Sequence, residues 1–373
     1  MNEKYAWVNA LRGYAILLVM FIHSSQHFSV SSYLKVITDD GYLGVQLFFI
    51  MSSFTLFNSY AKRKIGNEKN IKTKFFIRRY FRIAPYYYLA GIIYILYRLC
   101  AEKQVVIVSN VIANYTFLNG VYLPGINYIP PGGWSVGVEM LFYLFIPILF
   151  KYIDSLKKAV LLFFVTVLIS IIVNQYFIHY TTYYISLIWE DVSKWAFCEW
   201  LPYQFPVFVL GIILYFFNKN FVLSIKKGQI ILVLSIVTYF LFSIFSLNNL
   251  SPFCLIPNEY IYGLIFFCFA IGVYTTNNKL ILNGFVQKLG VVSFSVYLNH
   301  FMVLNILGRL YSGFCKFLVV YLHLPDVILR NDIVFLISFI FVVYISFLIS
   351  KQTYKYFEIK GINFGNKLID KLV

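Results

Sequence analysis

The amino-acid sequence predicts an all-α integral membrane protein, a bundle of about ten transmembrane helices with both termini cytoplasmic. Three observations lead there. The chain of 373 residues is 60% hydrophobic and only 12% charged, with a mean hydropathy of +0.76, too apolar for a soluble domain. Ten apolar runs are long enough, or nearly so, to cross a bilayer. Of the 31 Lys and Arg residues, 30 fall between those runs and Arg12 alone lies within one.

The run cores are 8–28, 41–59, 83–97, 134–150, 159–179, 201–217, 229–246, 259–276, 289–307 and 333–350. The first reads through LRGYAILLVMFIH, residues 11–23, without a small-residue cleavage site, so it is a retained span and not a signal peptide. The second carries GVQLFFIMSSF. The third follows the most basic stretch of the chain, the loop expected over 61–82, and the fourth follows the breaker PPGG. The fifth, sixth and seventh carry no Asp, Glu, Lys or Arg. The eighth and ninth carry polar residues, so a broken or tilted helix is expected there. With the N-terminus inside, 24 basic residues lie in inner segments and 7 in outer ones. That bias places both ends of the chain on the cytoplasmic side of the cell (inner) membrane.

Two outer stretches are more than connectors. Residues 98–133, apolar but short, are expected to hold a partly embedded or interfacial helix. Residues 180–200, YTTYYISLIWEDVSKWAFCEW, are rich in Tyr and Trp. They read as an aromatic belt at the interface or as a surface on which sugars stack. No internal repeat is visible, and residues 1–373 read as a single transmembrane domain.

A net charge of +16 would suit nucleic acid, but the positive charges sit in short loops between apolar runs. Nucleic acid is therefore rejected as a partner, and membrane lipid takes its place. The five cysteines are scattered without CxxC or metal-ligand spacing, so neither a disulfide framework nor a metal is expected.

Few groups in the apolar runs can do chemistry. Arg12 and His23 are eleven residues apart in the first span. At about 100° per residue they share one face, separated by about 16 Å along the axis. A cation at the membrane surface and an imidazole deep inside mark a functional site, or else a plain anchor with a positive flank and a hydrogen-bonded histidine. Arg79 and Arg82, spaced i, i+3, share a face at the entry to the third span. Guanidinium forks bind phosphate bidentately, which suits a soluble, phosphate-rich substrate. Glu139 is the carboxylate set well inside an apolar run, GGWSVGVEMLFYLFIP. Paired with His23 it would orient the imidazole and raise its basicity for general-base work. Tied to a Ser, a Tyr or a backbone group it would be structural. Both readings stand at this point. In SFSVYLNH, residues 293–300, Ser293 and Tyr297 are i, i+4 neighbours. His300 reads first as a packing residue hydrogen-bonded to another helix, and second as a further catalytic group. Ser52 and Ser53 read as small residues that allow close helix packing. His27, His179 and His323 fall at span ends or in loops and are given no role.

Taken together, LRGYAILLVMFIH, GVQLFFIMSSF, RRYFRIAPYY, GGWSVGVEMLFYLFIP and SFSVYLNH resemble acyltransferase family 3 in type and order. The resemblance implies a ten-span enzyme that moves acyl groups, usually acetyl from acetyl-CoA, onto sugars of cell-envelope glycans. It carries the family's catalytic histidine to His23 and its first-span arginine to Arg12. Its RxxR pair falls on Arg79 and Arg82, and its glutamate on Glu139. Ser53 departs from the pattern, which usually has glycine after the serine. The short tail after the last span implies a standalone member without a fused SGNH-type domain. The expectation is therefore an O-acetyltransferase of O-antigen, capsule or exopolysaccharide, or of a lipid-linked glycan precursor. Acetyl-CoA is the expected donor, held by Arg79, Arg82 and Arg12. His23 is the expected base or acetyl carrier, with Glu139 and Arg12 beside it in the catalytic set. The other class left open is a transporter or flippase of a polysaccharide precursor or lipid.

Overall fold

The computed structural model describes residues 5–188, 196–247, 257–322 and 331–372. Over these the chain is helical, with no strand among the described residues. The helices are α1 (Ala6–Ser25), α2 (Ser32–Asp39), α3 (Gly44–Ile65), α4 (Ile71–Tyr97), α5 (Val108–Tyr115), α6 (Gly133–Tyr152), α7 (Leu156–Ile188) and α8 (Ala196–Glu199). They continue as α9 (Leu201–Asn220), α10 (Ile225–Leu247), α11 (Asn258–Thr276), α12 (Gly284–Val291), α13 (Ser293–Leu322), α14 (Asp332–Thr353) and α15 (Ile359–Asp370). Ten stretches among the described residues are long and apolar enough to cross a membrane, and each contains or overlaps one predicted run.

The boundaries differ where hydropathy is blind. Residues 61–82 are not a loop: α3 runs on to Ile65 and α4 begins at Ile71. Charged residues on the outer turns of a helix lower hydropathy without breaking the helix, because Lys and Arg are good helix formers. The break expected in the ninth run is real. It falls at Val292, between α12 and α13, whereas α11, the eighth run, is continuous.

The chain divides into two compact units. One is built from Met1–Phe48 and Val222–Tyr354. Its hub is α1, which buries Trp7, Leu11, Ala15, Ile16, Val19 and Met20, residues spread around the helix. It packs on α12, α13 and α14. Gly290 brings α12 against it so closely that a Cβ there would lie 1.7 Å from the Asn9 carbonyl oxygen, an approach open only to glycine. The starts of α2 and α14 are tied together by Ser31, which donates to both Asp332 oxygens at 2.7 Å, through its backbone N–H and its hydroxyl.

The other unit is built from Phe49–Phe221 and Lys355–Val373. Here α6, α7 and α8 pack on α9, and α15 on α4. Phe208 is stacked against Phe142 at 4.0 Å and against Phe49 at 4.3 Å, geometry in which aromatic quadrupoles add to burial. The departure at Ser53 is compensated from the facing helix. The Ser53 hydroxyl donates to the Phe208 carbonyl at 2.6 Å, and a Cβ on Gly211 would lie 1.9 Å from that hydroxyl. The glycine of this contact is thus on α9 instead of α3.

The stretch 98–133 extends α4 by a π-helical turn (Arg98–Glu102) and then forms the short helix α5 and two single 3₁₀ turns. Buried asparagines hold it. Asn114 Nδ2 donates to the Asn110 and Gly125 carbonyls, both at 2.8 Å. Asn119 Nδ2 donates to those of Ile126 and Gly133, at 3.2 and 3.0 Å. Irregular backbone in apolar surroundings needs such internal partners. Much of the aromatic stretch 180–200 lies outside the described residues, as do His323 and the side chain of His179. Its last residue, Trp200, is buried with Phe197, Tyr203, Leu123 and Ile126, and its indole N–H donates to Asn174 Oδ1 at 2.8 Å.

Candidate active site

The first-span reading places Arg12 and His23 on one continuous helix, and α1 is that helix. Both are half-buried. The face opposite them, with Tyr14, Leu17, Leu18 and Phe21, borders a cavity of about 300 Å³ lined mostly by apolar and aromatic side chains. One side of α1 therefore carries the ionisable groups and the other a greasy hollow.

His23 has a companion. The ring of His300 lies 5.4 Å away, centroid to centroid, with Phe301 4.4 Å from His23 and 4.1 Å from His300. The glycine contact at Gly290 anchors α12 along the first half of α1. After the break at Val292, α13 then carries residue 300 past the second half. His300 is fully buried. Its Nδ1 lies 2.7 Å from the Tyr297 carbonyl of its own helix, not of another helix as the sequence suggested. A carbonyl only accepts, so that nitrogen is assigned the proton and Nε2 the lone pair. Nε2 is buried and has no hydrogen-bond partner among the described residues. Leaving such a group unsatisfied costs about 1–3 kcal/mol, so it calls for an explanation. His23 is poised similarly. Its Nδ1 is 3.1 Å from Gln26 Oε1, and with the amide oxygen as acceptor its Nε2 is left as the basic nitrogen.

In the second unit, Glu139 Oε1 accepts hydrogen bonds from the Ser52 hydroxyl and, at 2.7 Å, from Tyr143 one turn along α6. This is the tie to a Ser and a Tyr that the sequence left open beside a histidine pairing. Arg79 belongs to the same neighbourhood, since its charge acts on Tyr143. Its guanidinium lies 5.9 Å from the Phe75 ring centroid. Arg82 is half-buried one turn further on. Arg78, which the sequence reading passed over, does different work. It grips Glu68 through two bonds, 3.0 and 2.7 Å, and Arg63 adds a third at 3.3 Å, closing the turn between α3 and α4. Burial raises the Glu68 carboxyl. The Arg78 hydrogen bond and the charges of Arg78, Arg63 and Lys74 outweigh that and hold it below the ordinary glutamate range.

Tyr143 carried a signal in the sequence, its i, i+4 spacing from Glu139. Gln26, three residues after His23, did too. The meeting of His23 with His300 carried none, because 277 residues separate them.

These features define a polytopic membrane protein with acid–base groups sunk between its helices. An acyltransferase domain model, that of acyltransferase family 3, matches residues 5–351. The chain belongs to that family, and its chemistry is acyl transfer. It is 27% identical over 308 residues to a protein of Acidianus two-tailed virus named "Putative acetyltransferase ORF330", covering 80% of this chain and 83% of that protein. No solved structure matches it.

Proposed function

We propose that the protein transfers an acetyl group from acetyl-CoA to a hydroxyl of a surface polysaccharide or its lipid-linked precursor, with His23 as general base and both termini in the cytoplasm. The observation that carries this reading is His23 itself. It is an imidazole held through Nδ1 by Gln26, with Nε2 as the basic nitrogen, on the helix face that also bears Arg12. In this reading the acceptor O–H bond breaks and its proton passes to Nε2 as the oxygen bonds to the thioester carbon. The C–S bond then breaks and the thiolate takes the proton back. Base assistance of this kind supplies about 10²–10⁴ in rate. Arg79, Arg82 and Arg12 would hold the phosphates of the donor, a task suited to guanidinium forks. Glu139, fixed by Ser52 and Tyr143, would keep Arg79 oriented.

The deciding experiment is glycan NMR and mass analysis of a deletion strain against the complemented strain. O-acetyl groups present only on complementation support the reading. Identical glycans, or substrate translocation without transfer of label from [¹⁴C]acetyl-CoA, would replace it with a transport role.

A further inference from the structure

The acyl-transfer reading leaves unexplained why α13 presents a second imidazole to His23 with a bare, buried nitrogen. We propose that His300 is a positioning residue for the reaction: its Nε2 lone pair stabilises the positive charge that His23 acquires when it takes the acceptor's proton. The inference rests on His23 being the base.

Four observations converge. The two ring centroids are 5.4 Å apart with the planes tilted by 39°, so at most one small group fits between their nearest edges. His300 is completely buried, which shields its dipole from water and strengthens its effect on a neighbouring charge. The bond to the Tyr297 carbonyl fixes the tautomer, so the ring offers an acceptor and not a second N–H. And Nε2 has no hydrogen-bond partner among the described residues. A preorganised dipole unsatisfied in the ground state and satisfied when charge develops is the arrangement that lowers a barrier. His300 gains no proton in this scheme; the proton travels from the acceptor hydroxyl to His23 and on to the thiolate. Phe301, against both rings, limits the ways the pair can rotate.

A purely structural histidine makes a different prediction, which two variants separate. In His300→Asn the shorter amide can keep the bond to the Tyr297 carbonyl but has no atom where Nε2 lay. In His300→Gln the longer amide reaches the Nε2 position but gives up that helix bond. The proposal predicts that kcat of His300→Asn falls about 10- to 100-fold, a fraction of the 10²–10⁴ that base assistance supplies, with KM for acetyl-CoA unchanged. His300→Gln should keep the larger share of activity. A structural role predicts the reverse order, with losses that follow the melting temperature in detergent, and that order would overturn the proposal.

His23→Ala is run alongside. If it is inactive while His300→Asn turns over normally, the base reading survives and the present inference falls. If His23→Ala is active, both fall. A measurement independent of the His300 variants uses ¹⁵N-histidine-labelled protein. The His300 signals should report a neutral, Nδ1-protonated ring, and its Nε2 resonance should shift on His23→Gln. An Nε2 resonance blind to that change would also overturn the proposal.

Discussion

The two units each hold an ionisable group among their helices, and they treat it differently. In the second unit Glu139 is half-buried and its Oε1 accepts from Ser52 and Tyr143. In the first, fully buried His300 lies beside His23 and, among the described residues, is paired through Nδ1 with no partner at Nε2. Polar groups in a bilayer are costly, so both need a reason. A satisfied cluster is a fixture, stabilising the helices that carry it and fixing a field. An unsatisfied nitrogen forgoes stability in the resting state and is retained where a charge or a ligand completes it.

The contrast can be broken most sharply at His23. His23→Ala should lower turnover by about 10²–10⁴ while leaving the melting temperature in detergent close to wild type. A large loss of stability with activity retained would erase the distinction between the two clusters. Next in size is Glu139→Ala. It strips the acceptor from two buried hydroxyls, of which Ser52 bonds across a helix interface where such bonds are worth about 1–2 kcal/mol, and should lower the melting point clearly. Tyr143→Phe removes one of the two bonds and should cost about half as much. A Glu139→Ala protein as stable as wild type would mean that the carboxylate is no fixture. A double variant, Arg79→Ala with Arg82→Ala, should raise KM for acetyl-CoA by about 10-fold or more, since charge-assisted bonds contribute roughly 1.5–3 kcal/mol. Acceptor KM should stay put; a KM for acetyl-CoA that does not move would remove the phosphate role.

The smallest expected effect lies outside the membrane, at Glu68. Its folded carboxyl titrates below the ordinary value because Arg78, Arg63 and Lys74 oppose its protonation. The stability it contributes is therefore present above the unfolded value, about 4.3, and is lost as pH falls through the folded one. Glu68→Gln should flatten that part of the curve of melting temperature against pH, by no more than the ~1 kcal/mol of a partly solvated ion pair. An unchanged acid limb would assign it to other carboxylates.

The residues show why some of this was legible beforehand and some was not. Ten spans could be read because partition into lipid is nearly additive along a local window. Arg12 and His23 could be placed on one face because a helix has a fixed pitch. The basic segment 61–82 was misread as loop because hydropathy registers where a helix is apolar, not where it ends. A tie of Glu139 to a Ser or a Tyr is among the alternatives the sequence offers; its i, i+4 spacing is the signal that could single out Tyr143, but Ser52 comes from another helix and only packing selects it. His300 was weighed as a packing residue bonded to a neighbouring helix. That it bonds its own helix and faces His23 follows from the break at Val292 and the contact at Gly290, neither of which has a local signature strong enough to set a rotation.

The sequence by itself determined that this is a helical membrane protein, how many times it is apolar enough to cross, and which few residues could do chemistry there. Those are properties of short windows, fixed by transfer free energies and helical pitch. The tertiary structure alone decided that Glu139 accepts from hydroxyls of two helices while His300 lies buried beside His23. Which side chains meet depends on the axial rotation and separation of helices distant in sequence, and these are set by glycine contacts and ring packing that no local pattern encodes.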